Sequence, residues 1–339
     1  MPFQVNPPFA HQEVCPMSTK NKKTFHILSI DGGGILGLYS AGILSNIEKD
    51  FFNGEPLSSH FDLITGTSTG GIIALALATG CHTSEIEDFY TRYANRIFPS
   101  KRRNRIGLFS NKYSNKQLRE GLYEFFGSKK IKDCKTHICI PTINAATCAP
   151  LVFKTNNNGS QNRDDECKLV DVALATSAAP TFFPLHHFEN YQGLVDGGLW
   201  QNNPSLIGLI EALTCFVGEE QAFDDISILS IGNPNSSIKE SVDTKSKRSG
   251  LLKWKANIIS LPMKVNSIGT DYIIKILHRS NSSYLSKYER IKCGSLTNDC
   301  SSLKLDSADK HSLAKLMELS HQDYNNKKVA LTNFFKEEN

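Results

Sequence analysis

Twice within its first eighty residues the chain runs from a short β-rich stretch into clustered glycines and out again into an apolar stretch with helical spacing. FHILSI (25–30) leads into Asp31-Gly32-Gly33-Gly34 and then LGLYSAGILSNIEKDF, and FDLITG (61–66) leads into STGGIIALALATG, where Gly80 suits a helix stop. Each is a strand, a glycine turn and a helix. Strands joined through helices pair in parallel and need helices on both faces, so the pattern predicts an α/β fold with a mostly parallel central sheet. The two glycine turns then lie side by side at the carboxyl ends of neighbouring strands, where such folds keep their chemistry.

Further elements follow in the same idiom. Helices are expected at 84–98 and 115–126, strands in HICIPTINA (137–145) and PLVFKT (150–155), and a loop in NNNGSQNRDDE. KLVDVALATSAA reads as a helix stopped by Pro180, LVDGG (194–198) and ISILSIG (226–232) as strands, with the helix SLIGLIEALTCFV between them. From about residue 236 the sequence turns Ser-, Lys- and Asn-rich. Helical stretches are expected there at 267–279, 307–320 and 323–335, with no complete new βαβ pattern. The division is therefore a polar segment 1–23, an α/β domain 24–235, and a basic helical extension 236–339 packed on it or forming a lid.

A chain of 339 residues with 40% hydrophobic and 21% charged residues can bury a large core and reads as soluble. No apolar run approaches the roughly 20 residues of a membrane-spanning helix. The first 23 residues lack the apolar stretch of an export signal, which points to a cytoplasmic protein. Nine cysteines at irregular spacing, none in a C-x-x-C pair, fit reduced thiols better than disulfides or zinc, so no metal is expected. The net charge of +4 is unevenly distributed: between Ile238 and Lys292 twelve Lys or Arg face four Asp or Glu, and KRRNR stands at 101–105. Such patches suit phospholipid head groups or a nucleotide when they are more than solvated faces.

Gly66-x-Ser68-x-Gly70, between a strand and a helix, has the form of a nucleophile elbow. In that turn a strained backbone presents the serine hydroxyl at the sheet edge, and the helix amino terminus favours developing negative charge. A serine hydroxyl needs a base. Asp196, before Gly197 and Gly198 at a strand end, is the best-placed carboxylate, although an aspartate before glycines also serves as a plain turn residue. Gly32, Gly33 and Gly34, with Gly37 one turn on, offer unobstructed N–H donors for an oxyanion. The same glycines spell G-x-G-x-x-G, but Asp31 would repel a pyrophosphate and no acid closes a second strand about 20 residues on, so an NAD site is the weaker reading. A non-catalytic anion-binding module is a further alternative. His278, His311 and His321 follow Asp196 in the order of a triad, and His186 and His187 precede it; none stands at a glycine turn, and no triad is expected.

Taken together, DGGGILG (31–37), GTSTG (66–70) and DGG (196–198) resemble the patatin-like phospholipase family, as do ATSAAPTFFP (175–184), PLVFKT and ILSIGN (228–233). The resemblance spans about residues 25–235. It implies a three-layer α/β/α fold, a Ser-Asp dyad of Ser68 and Asp196, an oxyanion hole at Gly32–Gly34, and chemistry without a metal or other catalytic cofactor. One departure stands out: the family often carries arginine in the glycine turn, where this chain has Leu36. The chain is also similar to bacterial patatin-like effectors that a cyclic dinucleotide, typically cyclic GMP-AMP (cGAMP), switches on during phage infection. That narrower likeness implies a membrane phospholipid substrate met at the inner face of the membrane and a cyclic dinucleotide ligand, without assigning its contacts. A homodimer is compatible with it, DNA or RNA is not expected, and a constitutive esterase is the alternative. The phenylalanines of PTFFP suit either an acyl groove or plain core.

Overall fold

A computed structural model describes residues 23–99, 111–157, 163–234, 257–280, 283–293 and 303–336. The run at 101–105 and six of the twelve cations between 238 and 292 lie outside these residues.

The sheet grows outward from β1 (Thr24–Ile30), which pairs in parallel with β2 (Leu63–Gly66) on one side and β7 (Asp225–Ile231) on the other. Its side chains alternate between two cores. Phe25 and Ile27 join Leu63, Ile226 and Ile228 under one helical layer, while Leu28 and Ile30 join Ile64, Leu229 and Ile231 under the other. Strands buried on both faces read as nearly unbroken apolar runs, which is why FHILSI and ISILSI were legible as strands. Helices α1 (Gly37–Phe52), α2 (Thr69–Ala78), α3 (Thr83–Ile97), α4 (Lys116–Phe126) and α5 (Leu169–Thr176) cover one face. The short α6 (Gly198–Gln201) leads to α7 (Ser205–Cys215), which covers the other. The architecture is the expected three-layer α/β/α arrangement.

The strand that positions the site is β3 (His137–Asn144). It pairs in parallel with β2 through His137–Cys139 and antiparallel with β4 (Ala149–Lys154) through Cys139–Asn144. It also pairs antiparallel with β6 (Tyr191–Asp196) through Thr142–Asn144. Because β4 fills one edge of β3, β2 and β6 share the other edge, one after the other and head-on. The carboxyl end of β2 thus points at the carboxyl end of β6. A short strand β5 (His186–Phe188) pairs beyond β6.

The region after residue 236 departs from the expected all-helical extension. Strand β8 (Leu285–Ile291) pairs in parallel with β7, and α8 (Asn257–Arg279) is the crossover between them, so a βαβ unit spans the boundary drawn at 235. LSKYERI escaped notice because an outer strand of the sheet is only half covered, and its exposed and partly exposed positions carry Ser, Lys and Glu. Helix α8 begins ten residues before the expected 267 and accommodates Pro262. The stretches expected at 307–320 and 323–335 are one helix, α9 (Lys310–Phe335), capped by Asp309, whose side chain accepts from the Ser312 N–H. It packs along α1, where the Tyr39 hydroxyl donates to buried Asp323 at 2.8 Å.

Leu316 and Leu331 of α9 are fully buried in the same core as β1 and α2. Leu331→Ala is expected to destabilise the whole protein by about 2–5 kcal/mol in urea unfolding, with a single transition. A separate, low-stability transition for α9 would show instead that it folds apart from the sheet.

Candidate active site

The site forms where β2 ends. A β-carbon at Gly66 would overlap the carbonyl of Gly70, and one at Gly70 would overlap the carbonyl of Ile30, so only glycine allows this bend and the close approach of α2 to β1. Between them Ser68 has φ +55° and ψ −125°, a conformation side chains rarely adopt, held at a strain of roughly 1–3 kcal/mol. Its neighbours keep it there. The Ser68 N–H donates to Thr176 Oγ1 at 3.0 Å, the Thr176 hydroxyl donates to the Pro141 carbonyl at 2.6 Å, and Thr67 Oγ1 donates to the Gln201 carbonyl at 2.7 Å.

Asp196 arrives from the opposite direction as the last residue of β6. Its Oδ2 accepts from Ser68 Oγ at 2.6 Å and its Oδ1 accepts from the Gly198 N–H at 2.7 Å. Gly197, where a β-carbon would overlap the Pro141 carbonyl, lets the chain turn tightly against β3. Both side chains of the pair are buried. Burial pushes the Asp196 carboxyl up to about 6, against the hydrogen bonds from Ser68 and Gly198 that favour its charged form. Among the described residues no histidine bonds to either group. His186 bonds to Asp171, His187 to Gln192, His278 to the Leu285 carbonyl, and His321 to Asn46. The pair can therefore pass a proton from hydroxyl to carboxylate without an imidazole.

The glycine turn at the end of β1 lies against Ser68, with the Gly32 α-carbon too close to Ser68 and Asn202 for any side chain. Its donors are not equally available. The Gly32 N–H is held by the Asn202 carbonyl at 3.1 Å and the Gly33 N–H by Thr69 Oγ1 at 3.2 Å. Gly34, with φ +58°, makes no N–H hydrogen bond among the described residues and lines the cavity in front of Ser68. The expected trio of donors narrows to one that is unengaged. Gly37 sits behind, against the Tyr90 hydroxyl.

Asp31 is tied rather than a bare charge. Arg290, from β8, reaches it with two nitrogens at 3.0 and 2.6 Å, and Ser267 Oγ of α8 donates to it at 2.9 Å. Asn202 Nδ2 and Asn233 Nδ2 both donate to the Gly32 carbonyl, at 3.1 and 2.6 Å. This corrects the reason given against a dinucleotide: Asp31 would repel no pyrophosphate, because Arg290 neutralises it. What disfavours that reading is that the Gly32 and Gly33 N–H groups already have partners. Arg290 is also the cation beside the turn that Leu36, buried in the apolar core, does not supply. Thr176, Asn202, Asn233, Ser267 and Arg290 were missed as site residues. Only Thr176, inside ATSAAPTFFP, and Asn233, at the end of ILSIGN, had a signal.

In front of the pair opens an apolar cavity, with walls that include Phe89, Phe98, Phe182, Phe183, Ile259 and Met263. The two phenylalanines of PTFFP line it. Elsewhere, the described part of the basic region is largely committed internally. Lys275 and Lys292 bind Asp271, and Lys287 donates to the Phe334 and Lys336 carbonyls. No helix of the described residues is long and apolar enough to cross a membrane.

Similarity to known proteins extends along most of the chain. A family model described as patatin-like phospholipase matches residues 28–208. The chain is similar to a cGAMP-activated phospholipase of Vibrio cholerae, 33% identical over 93% of this chain and 95% of that one. Proteins of the same description from Escherichia coli and Pseudomonas aeruginosa are 38% and 35% identical. The E. coli match covers 64% of each chain, the P. aeruginosa match 74% of this chain and 75% of the relative.

Arg290 and Asp31 form a buried pair whose halves come from opposite ends of the described chain. Arg290→Met leaves the carboxylate buried and unpaired and is expected to destabilise by about 3–5 kcal/mol. Adding Asp31→Asn to that variant is expected to restore much of the loss. Urea unfolding of the two single variants and the double variant checks this; additive losses would mean that the pair is not coupled.

Proposed function

This chain belongs to the patatin-like phospholipase family and is a lipid acyl hydrolase, and from that premise we propose that Ser68 is its nucleophile, Asp196 its general base and a cyclic dinucleotide its activator. The observation that carries the dyad is the 2.6 Å bond from Ser68 Oγ to a buried carboxylate, at the foot of an apolar cavity. A carboxyl pushed up to about 6 is a stronger base than an exposed aspartate, yet is still mostly ionised at neutral pH.

The reaction follows from these positions. Asp196 takes the Ser68 proton as Oγ attacks the ester carbonyl carbon, and the carbonyl electron pair moves onto oxygen. The resulting oxyanion faces the Gly34 N–H and the amino terminus of α2, donors fixed before the charge develops. Collapse breaks the ester bond, and the departing alcohol takes the proton from Asp196. Water, giving its proton to the same carboxylate, then attacks the acyl-serine, and as the bond to Oγ breaks Asp196 returns that proton to Ser68 Oγ, releasing the fatty acid and restoring both residues. The substrate is an acyl ester of a membrane phospholipid, met at the inner face of the cell membrane.

Regulation rests on the relatives. Three similar proteins bear the description cGAMP-activated, one of them matched along nearly the whole chain. We carry that control to this chain, with antiphage defence as its setting. The decisive assay is release of fatty acid from phospholipid vesicles by the wild type and by Ser68→Ala, each with and without cyclic GMP-AMP. Wild type should respond to the nucleotide, and Ser68→Ala should lose on the order of 10⁴-fold in rate under both conditions. An unchanged rate in Ser68→Ala would refute the dyad; a wild type indifferent to the nucleotide would refute its control.

Two pH effects follow from Asp196. Because its carboxylate is the active form, kcat/KM should rise with pH through about 6 and level off above it. Stability moves the opposite way. With the folded pKa raised above 3.8, folding gains from the proton below 3.8 and loses that gain as pH rises to about 6, roughly 3 kcal/mol in all. Asp196→Asn should therefore be inactive and, at pH 8, more stable than wild type by up to this amount; urea midpoints at pH 5 and pH 8 test it.

A further inference from the structure

Helix α8 carries apolar side chains on the face where a surface helix normally carries polar ones. Its inner face packs on α6, α7 and β8, with Ile259, Met263, Thr270 and Ile274 buried. Its outer face presents Val265 at 58% exposure, Ile268 at 53%, Tyr272 at 65% and Ile276 at 46%. Spacings of three, four and four residues put these on one stripe, about 17 Å long at the rise of an α-helix. Ile273 and Leu277 flank the stripe, and α7, packed alongside, adds exposed Ile210 and Leu213.

We infer that this outer face of α8, with its neighbours on α7, is the surface by which the protein docks on an anionic phospholipid bilayer. Charge agrees with a bilayer. The helix carries Lys264, Lys275 and Arg279 against a single acid, Asp271, which is buried and bound to Lys275, Lys292 and the Tyr288 hydroxyl. An apolar stripe flanked by cations is how a helix lies in the plane of a membrane interface. Two copies pairing this face about a twofold axis would instead bring like charges together.

Position agrees as well. Ile259 and Met263 of the same helix form part of the wall of the cavity that ends at Ser68 and Asp196. A helix is about 10 Å across with its side chains, so a bilayer on the outer face of α8 lies about one helix diameter from that wall. An acyl chain leaving the bilayer has a short path to the site. This assignment rests on the phospholipase reading above and specifies where its substrate surface meets the protein.

The test is co-sedimentation with vesicles of phosphatidylcholine and phosphatidylglycerol, with and without cyclic GMP-AMP, in a Ser68→Ala background so that lipid is not consumed. Replacing Ile268, Tyr272 and Ile276 together by Ser is expected to lower vesicle binding about tenfold or more. A separate Tyr272→Trp variant, which leaves the face apolar, should gain fluorescence quenching by brominated acyl chains over its parent. With Ser68 intact, the triple variant should still hydrolyse a water-soluble short-chain ester at the parent rate. Undiminished vesicle binding by the triple variant, failure of the parent to bind under either condition, or no added quenching at position 272 each overturns the inference. A shift of the triple variant to a smaller assembly with binding intact also overturns it, assigning the face to contacts between copies. Failure of the unaltered protein to cleave even the soluble ester would instead strike the dyad, with vesicle binding still read on its own.

Discussion

Everything at the site depends on two strands meeting end to end along one edge of β3. Had β6 joined the sheet in parallel, Asp196 would stand at the same level as other strand ends but a lane away from Ser68. Running antiparallel along the edge that β2 has already occupied, it brings a carboxylate directly onto a hydroxyl, 2.6 Å from oxygen to oxygen. The glycines on both sides serve the tight turns that deliver each chain end to that meeting. A β-carbon would meet the Gly70 carbonyl at Gly66, the Ile30 carbonyl of β1 at Gly70 and the Pro141 carbonyl of β3 at Gly197.

A second layer fixes the oxyanion side. The glycine turn has little side chain of its own to hold it, so its shape is imposed from outside by Asn202, Asn233, Ser267 and Arg290 acting on Gly32 and Asp31. Leu305, just before α9, closes the arrangement by accepting the Ile35 N–H at 2.8 Å and lining the cavity. Residues from α8, β8 and the segment before α9 thus form the back of a site whose chemistry lies in the first two hundred residues.

The legible part of the site was the part made by backbone geometry. Ser68, Asp196 and the glycines announce themselves because tight turns admit few residue types, and β1, β2 and β7 because burial on both faces leaves continuous apolar runs. The supporting polar groups were illegible for the converse reason: Arg290 lies on an outer strand of mixed polarity, and nothing local marks its partner 259 residues away. The same half-covered environment hid β8 itself. Donor capacity was over-read, since a glycine N–H is visible in sequence but the Asn202 carbonyl and Thr69 hydroxyl that occupy two of them are not.

The distance between the halves of the Asp31–Arg290 pair also bears on when during synthesis the site can be completed. During synthesis β1 and β2 emerge early, yet Asp31 acquires its cation only after β8 has been made, and Ser68 meets its carboxylate 128 residues downstream. Contacts this far apart in sequence carry a larger loop-closure cost than local ones. A chain made only as far as β7 lacks the cation that holds Asp31, so the fold itself delays completion of the site until β8 has been synthesised.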